Sequence, residues 1–191
     1  MTEARQPMTA RRAARLADTR SATASLVGVV VAVAVYELLS GRSLPTYVAS
    51  HFAGNGAANG YMPRSAYVAF MLVVTISLPV VIFASARILP RVPPSLLNLP
   101  NRDYWLAPER RAQTYGYLSD HTAYFATMLA VFLGFVHWRV VAANALHPPT
   151  LEPVVFVGGL IAFLIALVLW IAALAAHFRR NDSKLPPRRS A

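Results

Sequence analysis

The chain has 191 residues, of which 56% are hydrophobic and only 14% charged, against about 25% charged in an ordinary soluble domain. That deficit excludes a single water-soluble globule and points to the membrane class. The net charge of +10 is the balance that nucleic-acid binding favours, but its distribution along the chain assigns it elsewhere; the absence of cysteine excludes disulfides and thiolate metal sites.

A bilayer core needs about 20 mostly apolar helical residues. Four segments meet this, at about 21–40, 65–88, 121–146 and 154–178. Each is apolar around most of its circumference, unlike a soluble amphipathic helix. The expected fold is therefore all-α, an integral membrane four-helix bundle. Residues 1–20 form a basic tail, 21–178 the membrane domain and 179–191 a second basic tail, with both tails disordered. Residues 41–64 and 89–120 are the two long connections.

The arginines orient the bundle. Arg5, Arg11, Arg12, Arg15 and Arg20 precede the first span, and Arg87, Arg91, Arg102, Arg110 and Arg111 follow the second. Arg179, Arg180, Lys184, Arg188 and Arg189 follow the fourth. The opposite side carries Arg42 and Arg64 alone, and Arg139 lies inside the third span. The positive-inside rule then puts both termini and the middle loop in the cytoplasm. Anionic lipid at the inner leaflet accounts for the basic charge without nucleic acid. The first span continues through Tyr36–Leu39 with no small-residue cleavage pattern, so it reads as an uncleaved anchor.

Small residues at i, i+4 spacing predict the packing faces: Ala24, Gly28 and Ala32; Ala126, Ala130 and Gly134; Gly158, Ala162 and Ala166. Pro79 removes a hydrogen bond in mid-span two and is expected to kink the helix there, either as a tolerated membrane proline or as a hinge. In the cytoplasmic loop Pro90, Pro93, Pro94 and Pro100 predict extended chain. Pro108 and Glu109 then suit a helix start. From Pro108 the helix runs on into the third span for about 39 residues, about 58 Å. It projects a basic, aromatic stalk bearing Arg110, Arg111, Tyr115 and Tyr117, with Tyr104 and Trp105 as an interfacial belt before it. Tyr104, Trp105, Arg110 and Arg111 are the candidates for contact with lipid or with a cytoplasmic or membrane protein partner.

Two stretches, "LPTYVASHFAGNGAANGYMPR" from Leu44 and "NLPNRDYWLAPERR" from Asn98, resemble the small bacterial membrane domain of unknown function 1648. The first carries the motif at Leu44, Pro45, His51, Phe52, Gly56, Gly60 and Tyr61, with Asn59 where an acid is common. The second carries it at Asn98, Pro100, Asn101, Tyr104, Trp105, Pro108, Glu109 and Arg110. The resemblance is close over Leu44–Arg111 and extends to the rest as topology. It implies no assigned activity. The same domain opens the SdpI-type immunity proteins, which are longer and protect bacteria from a secreted toxin, so an immunity role enters by analogy.

Glu37 and Arg139 lie at similar depth near the outer ends of their spans. Intramembrane charges pair or face a cavity, and a Glu37–Arg139 ion pair is expected, the alternative being that each snorkels separately. His137, two residues before Arg139, faces another side of the helix. In the outer loop, Tyr47, Val48 and Phe52 are expected on a helical turn. His51 is expected to bond the Asn55–Asn59 turn, making the loop a lid over the outer mouth. His51, His137, His147, Glu37 and Glu152 share that side without metal-ligand spacing, so no metal or other cofactor is expected. Asp120 and His121 read as inner-interface polarity. No nucleophile, phosphate-loop or zinc-protease pattern occurs. The expectation is a binding, sensing or accessory component rather than an enzyme, acting through the His51 loop or the cytoplasmic loop. The rival is a small transporter or toxin-immunity factor using the Glu37/Arg139 region.

Overall fold

The computed structural model describes residues 8–179, with side chains from Ser21 onward. The chain is mostly helical: α1 (Met8–Ser40), a hairpin of β1 (Tyr47–Phe52) and β2 (Ala58–Pro63), α2 (Arg64–Ile88), the short α3 (Arg102–Trp105), α4 (Pro108–Asn144) and α5 (Pro153–Arg179). Four of these helices are long and apolar enough to cross a membrane. Helix α1 begins at Met8, so residues 8–20 extend the first span where a disordered tail was expected. The C-terminal tail lies outside the described residues.

Helix α4 is the hub. It packs against α1 and α2, which also touch each other, and its far side carries α5. The reason is visible in its residues. Ala123, Ala126 and Ala130 are buried, and a Cβ on Gly134 would stand 3.0 Å from Val33 Cγ1. This expected small-residue stripe therefore does bring α1 close. The other two stripes do not. Gly28 and Gly158 have nothing near them, and Ala24, Ala32 and Ala162 are exposed. Helix α1 buries Ala22, Leu26 and Glu37 instead. Helix α5 turns Gly159 to Phe135, whose ring would meet an added Cβ at 2.2 Å. Alanine and glycine are tolerated on a lipid-facing surface as well as at a contact, so spacing alone could not choose the face. The bundle is consequently three helices with α5 laid along one member, and the outward faces (Val27, Val31 and Val35 on α1; Ile161, Ile165 and Val168 on α5) are exposed and apolar.

Helix α2 buries Tyr67, Met71, Thr75 and Pro79, an i, i+4 row running through the proline. Helix α4 has 37 residues, about 55 Å, close to the expected length. Its first turns are not a free stalk. Thr114 and Tyr115 are buried, and Tyr117 stacks on His177 of α5 at 3.6 Å between ring centroids.

The connection between α1 and α2 is antiparallel β, not a helical turn. Tyr47 pairs with Pro63, Val48 with Met62 and Ala49 with Tyr61. Burial does not alternate strictly, since Tyr47 is exposed while Val48 and Ala49 are both fully buried; pairing with β2 and burial of both Val48 and Ala49 under the helix ends hold the strand. The turn needs glycine at Gly56, where φ is +87° and a Cβ would lie 2.1 Å from Leu151 O. Leu151 N donates to Gly56 O at 2.8 Å, which ties the hairpin tip to the α4–α5 loop.

Candidate functional site

The hairpin is seated on the helix ends by apolar contact and by one amide. Leu44, Val48, Tyr67, Met71 and Val140 form a buried cluster, with Phe52 and Met62 packed against it. Asn144, at the end of α4, receives the Ala49 N–H on Oδ1 at 2.8 Å. Its Nδ2 donates to Ala49 O at 2.9 Å and to Val140 O at 2.9 Å. The side-chain amide thus stands in for a neighbouring strand on the free edge of β1, satisfying backbone groups that burial would otherwise orphan.

Beneath this cap, α1, α2 and α4 bring together five polar side chains. Glu37, Thr75 and His137 are fully buried. Thr75 Oγ1 donates to Glu37 Oε1 at 2.6 Å, while Glu37 Oε2 is buried with no hydrogen-bond partner. Tyr67 OH lies 3.1 Å from His137 Nδ1, and Ser40 Oγ 2.8 Å from His137 Nε2. The Ser40 hydroxyl also donates to Tyr36 O at 2.6 Å. With its single proton used there, Ser40 accepts from His137 Nε2–H, and His137 Nδ1 accepts from Tyr67 O–H. This assignment satisfies the whole chain with a neutral imidazole. The ring is held between two tyrosines, stacked on Tyr67 and edge-on to Tyr36.

The Glu37–Arg139 ion pair is not formed. Arg139 reaches the other way, Nη2 lying 3.5 Å from Glu152 Oε2 in the α4–α5 loop, with its guanidinium 5.0 Å from the Trp138 ring centroid. Equal depth does not give contact when the two residues face different helices. On α4 the row Ala126, Ala130, Gly134 continues to His137 at helical spacing, and Arg139 is nearly half a turn off that row. His137 thus faces α1 and α2.

The remaining candidates fall outside this centre. His51 is exposed; its Nδ1 meets Ser50 Oγ at 3.1 Å and its ring lies over Gly60, so it does not bond the turn. Asn55 does, accepting from Ala57 N at 3.1 Å. Asn59 is exposed on β2. At the other end of the molecule Arg111 is exposed and Arg110 lies 3.9 Å over the Tyr104 ring. Trp105 is buried, donating to Phe178 O at 3.2 Å, so it is a packing residue and not an open partner contact. Among the described residues no three His, Asp or Glu side chains converge as a metal site would require.

No family model, curated protein or solved structure matches this chain. The geometry therefore carries the argument alone. Sequence reasoning had named Glu37 and His137 but missed Ser40, Tyr67, Thr75 and Asn144. The signal for two of them was present: Tyr67 and Thr75 are the polar members of the row that includes Met71 and Pro79.

Proposed function

We propose that this chain is a multi-pass protein of the bacterial inner membrane, both termini cytoplasmic, that acts as a non-catalytic binding or sensing component. Its working element is the hairpin-capped centre of Glu37, Thr75, Tyr67, His137 and Ser40 at the outer end of the bundle. The arginine distribution supports the orientation. One observation carries the choice of site: Glu37 is fully buried, with one carboxyl oxygen unpartnered and, among the described residues, no ion-pair partner. An ionised carboxylate left so would cost several kcal/mol, and intramembrane acids are retained where protons or ions are handled. The hairpin caps this centre, with Val48 packed in one buried cluster with Tyr67 of α2 and Val140 of α4. Proton exchange at Glu37 would therefore be coupled to the seating of the hairpin on α2 and α4. The titratable groups of the same centre include Tyr36, Tyr67 and His137, the two tyrosines flanking the histidine ring.

The test uses the full chain in nanodiscs, stepped between about pH 5 and pH 9, a range in which a perturbed carboxyl or a histidine titrates. Infrared difference spectra should show a carboxyl band that responds to pH and is absent from Glu37→Gln. Hydrogen exchange of residues 47–52 should change with pH in the wild type and not in that variant. A pH response of the hairpin that survives Glu37→Gln and disappears in His137→Phe would overturn the assignment. A second reading is a small transporter or toxin-immunity factor using the same Glu37, whose buried carboxyl favours it. Arg139 would have no part in it, since its partner is Glu152.

A further inference from the structure

The opposite end of the molecule holds a second polar site, distinct from the hairpin centre. A cavity of about 300 Å³ opens between the start of α4 and the end of α5, lined by Tyr104, Trp105, Arg110, Gln113, Thr114 and His177. This lies at the small end of ligand sites, which span about 300–1,000 Å³. Its frame is fixed. Thr114 Oγ1 donates to Trp105 O at 2.8 Å, Trp105 Nε1 donates to Phe178 O, and the Trp105 ring stacks on His177, which stacks on Tyr117. Arg110 differs from the rest of the lining. Its guanidinium, a planar fork of N–H donors, lies 3.9 Å over the Tyr104 ring centroid. That fork matches the paired oxygens of a phosphate. The two helix ends that meet here carry Arg110, Arg111 and Arg179 against Glu109. Nearby Arg102 is paired with Asp103 at 3.3 Å.

Position narrows the ligand. Helix α5 has 27 residues, about 40 Å, against a hydrocarbon core of about 30 Å. Its last turn, with His177 and Phe178, therefore emerges at the depth of lipid phosphates, where tyrosine and tryptophan concentrate. We propose that this pocket binds the phosphate of an anionic lipid headgroup, with Arg110 as the phosphate fork, Tyr104 as its support and Gln113 as a second donor.

Native mass spectrometry of the delipidated full chain, titrated with phosphatidylglycerol, phosphatidylcholine or inorganic phosphate, tests this. One phosphatidylglycerol should bind with a preference of about tenfold or more over phosphatidylcholine, a tenfold change being the usual unit of affinity. Arg110→Ala should abolish that preference, and Arg110→Lys should restore it only in part, because lysine keeps the charge and lacks the fork. Arg42→Ala, at the hairpin end, should bind as the wild type does. Equal losses in Arg110→Ala and Arg42→Ala would mean general charge attraction and overturn the site. Displacement of phosphatidylglycerol by millimolar inorganic phosphate would reassign the pocket to free phosphate. Protection of Arg110 by a co-purifying acidic protein, without lipid preference, would reassign it to a protein partner.

Discussion

Removing the Asn144 amide is the sharpest test of how the hairpin is held. Asn144→Ala deletes three hydrogen bonds, of 2.8, 2.9 and 2.9 Å, and leaves both backbone groups of Ala49 without partners, in a residue that is fully buried. Each buried group so orphaned costs about 1–3 kcal/mol. The Val140 carbonyl keeps its place in the helix ladder and adds little. The site is near the end of the bundle, where water can reach a loosened strand, so the total should fall at about 2–4 kcal/mol. Docking of the hairpin is a local equilibrium, and such openings are read best by amide exchange. Exchange at residues 47–52 should therefore accelerate about 30- to 1,000-fold, at 1.36 kcal/mol per factor of ten, while amides in the middle of α4 remain protected. Asn144→Asp separates the amide's role from its bulk. It keeps an acceptor for Ala49 N–H but sets a carboxyl oxygen against the carbonyls of Ala49 and Val140, so it should be at least as disruptive as alanine at neutral pH. An acceleration below about threefold for Asn144→Ala, equivalent to less than the net worth of one hydrogen bond, would refute the reasoning and assign the seating to apolar contact alone.

Two further perturbations follow from the same geometry. His137→Phe preserves the ring packing between Tyr36 and Tyr67 but orphans the buried Tyr67 hydroxyl, and should cost about 1–3 kcal/mol in a reversible unfolding assay; the double variant His137→Phe/Tyr67→Phe should recover part of that loss, and strict additivity of the two single changes would show that the hydrogen bond contributes nothing. Gly56→Ala forces a Cβ into a left-handed turn and against Leu151 O at 2.1 Å, so it should destabilise the hairpin tip by about 1–3 kcal/mol and break the Gly56–Leu151 tie, checked by exchange at Leu151; a neutral result would mean that the α4–α5 loop is free to move aside.

Composition and hydropathy determined the spans by themselves. Four runs of this length and apolarity have few other uses, and the helices that carry them extend past the expected span boundaries chiefly at Met8 and Pro108. The start of α4 was legible because Pro108 and Glu109 mark a helix N-terminus by local chemistry alone. Packing faces were not legible in the same way. A stripe of alanine and glycine is compatible with lipid or with another helix, and only the meeting of α1 with α4 at Gly134 and Val33 selected one. The error over Glu37 and Arg139 has the same origin: depth in a membrane can be counted along a sequence, whereas azimuth depends on which neighbour each helix acquires. Once the Ala126–Ala130–Gly134 row faces α1, His137 must enter the centre and Arg139 must leave it. The hairpin was decided at the tertiary level too. The run from Tyr47 to Phe52 is short enough to form a helical turn or a strand. What settles it is the pairing with residues 58–63, the burial of Val48 over α2 and α4, and the Asn144 amide, whose two hydrogen bonds to Ala49 span 95 positions of sequence.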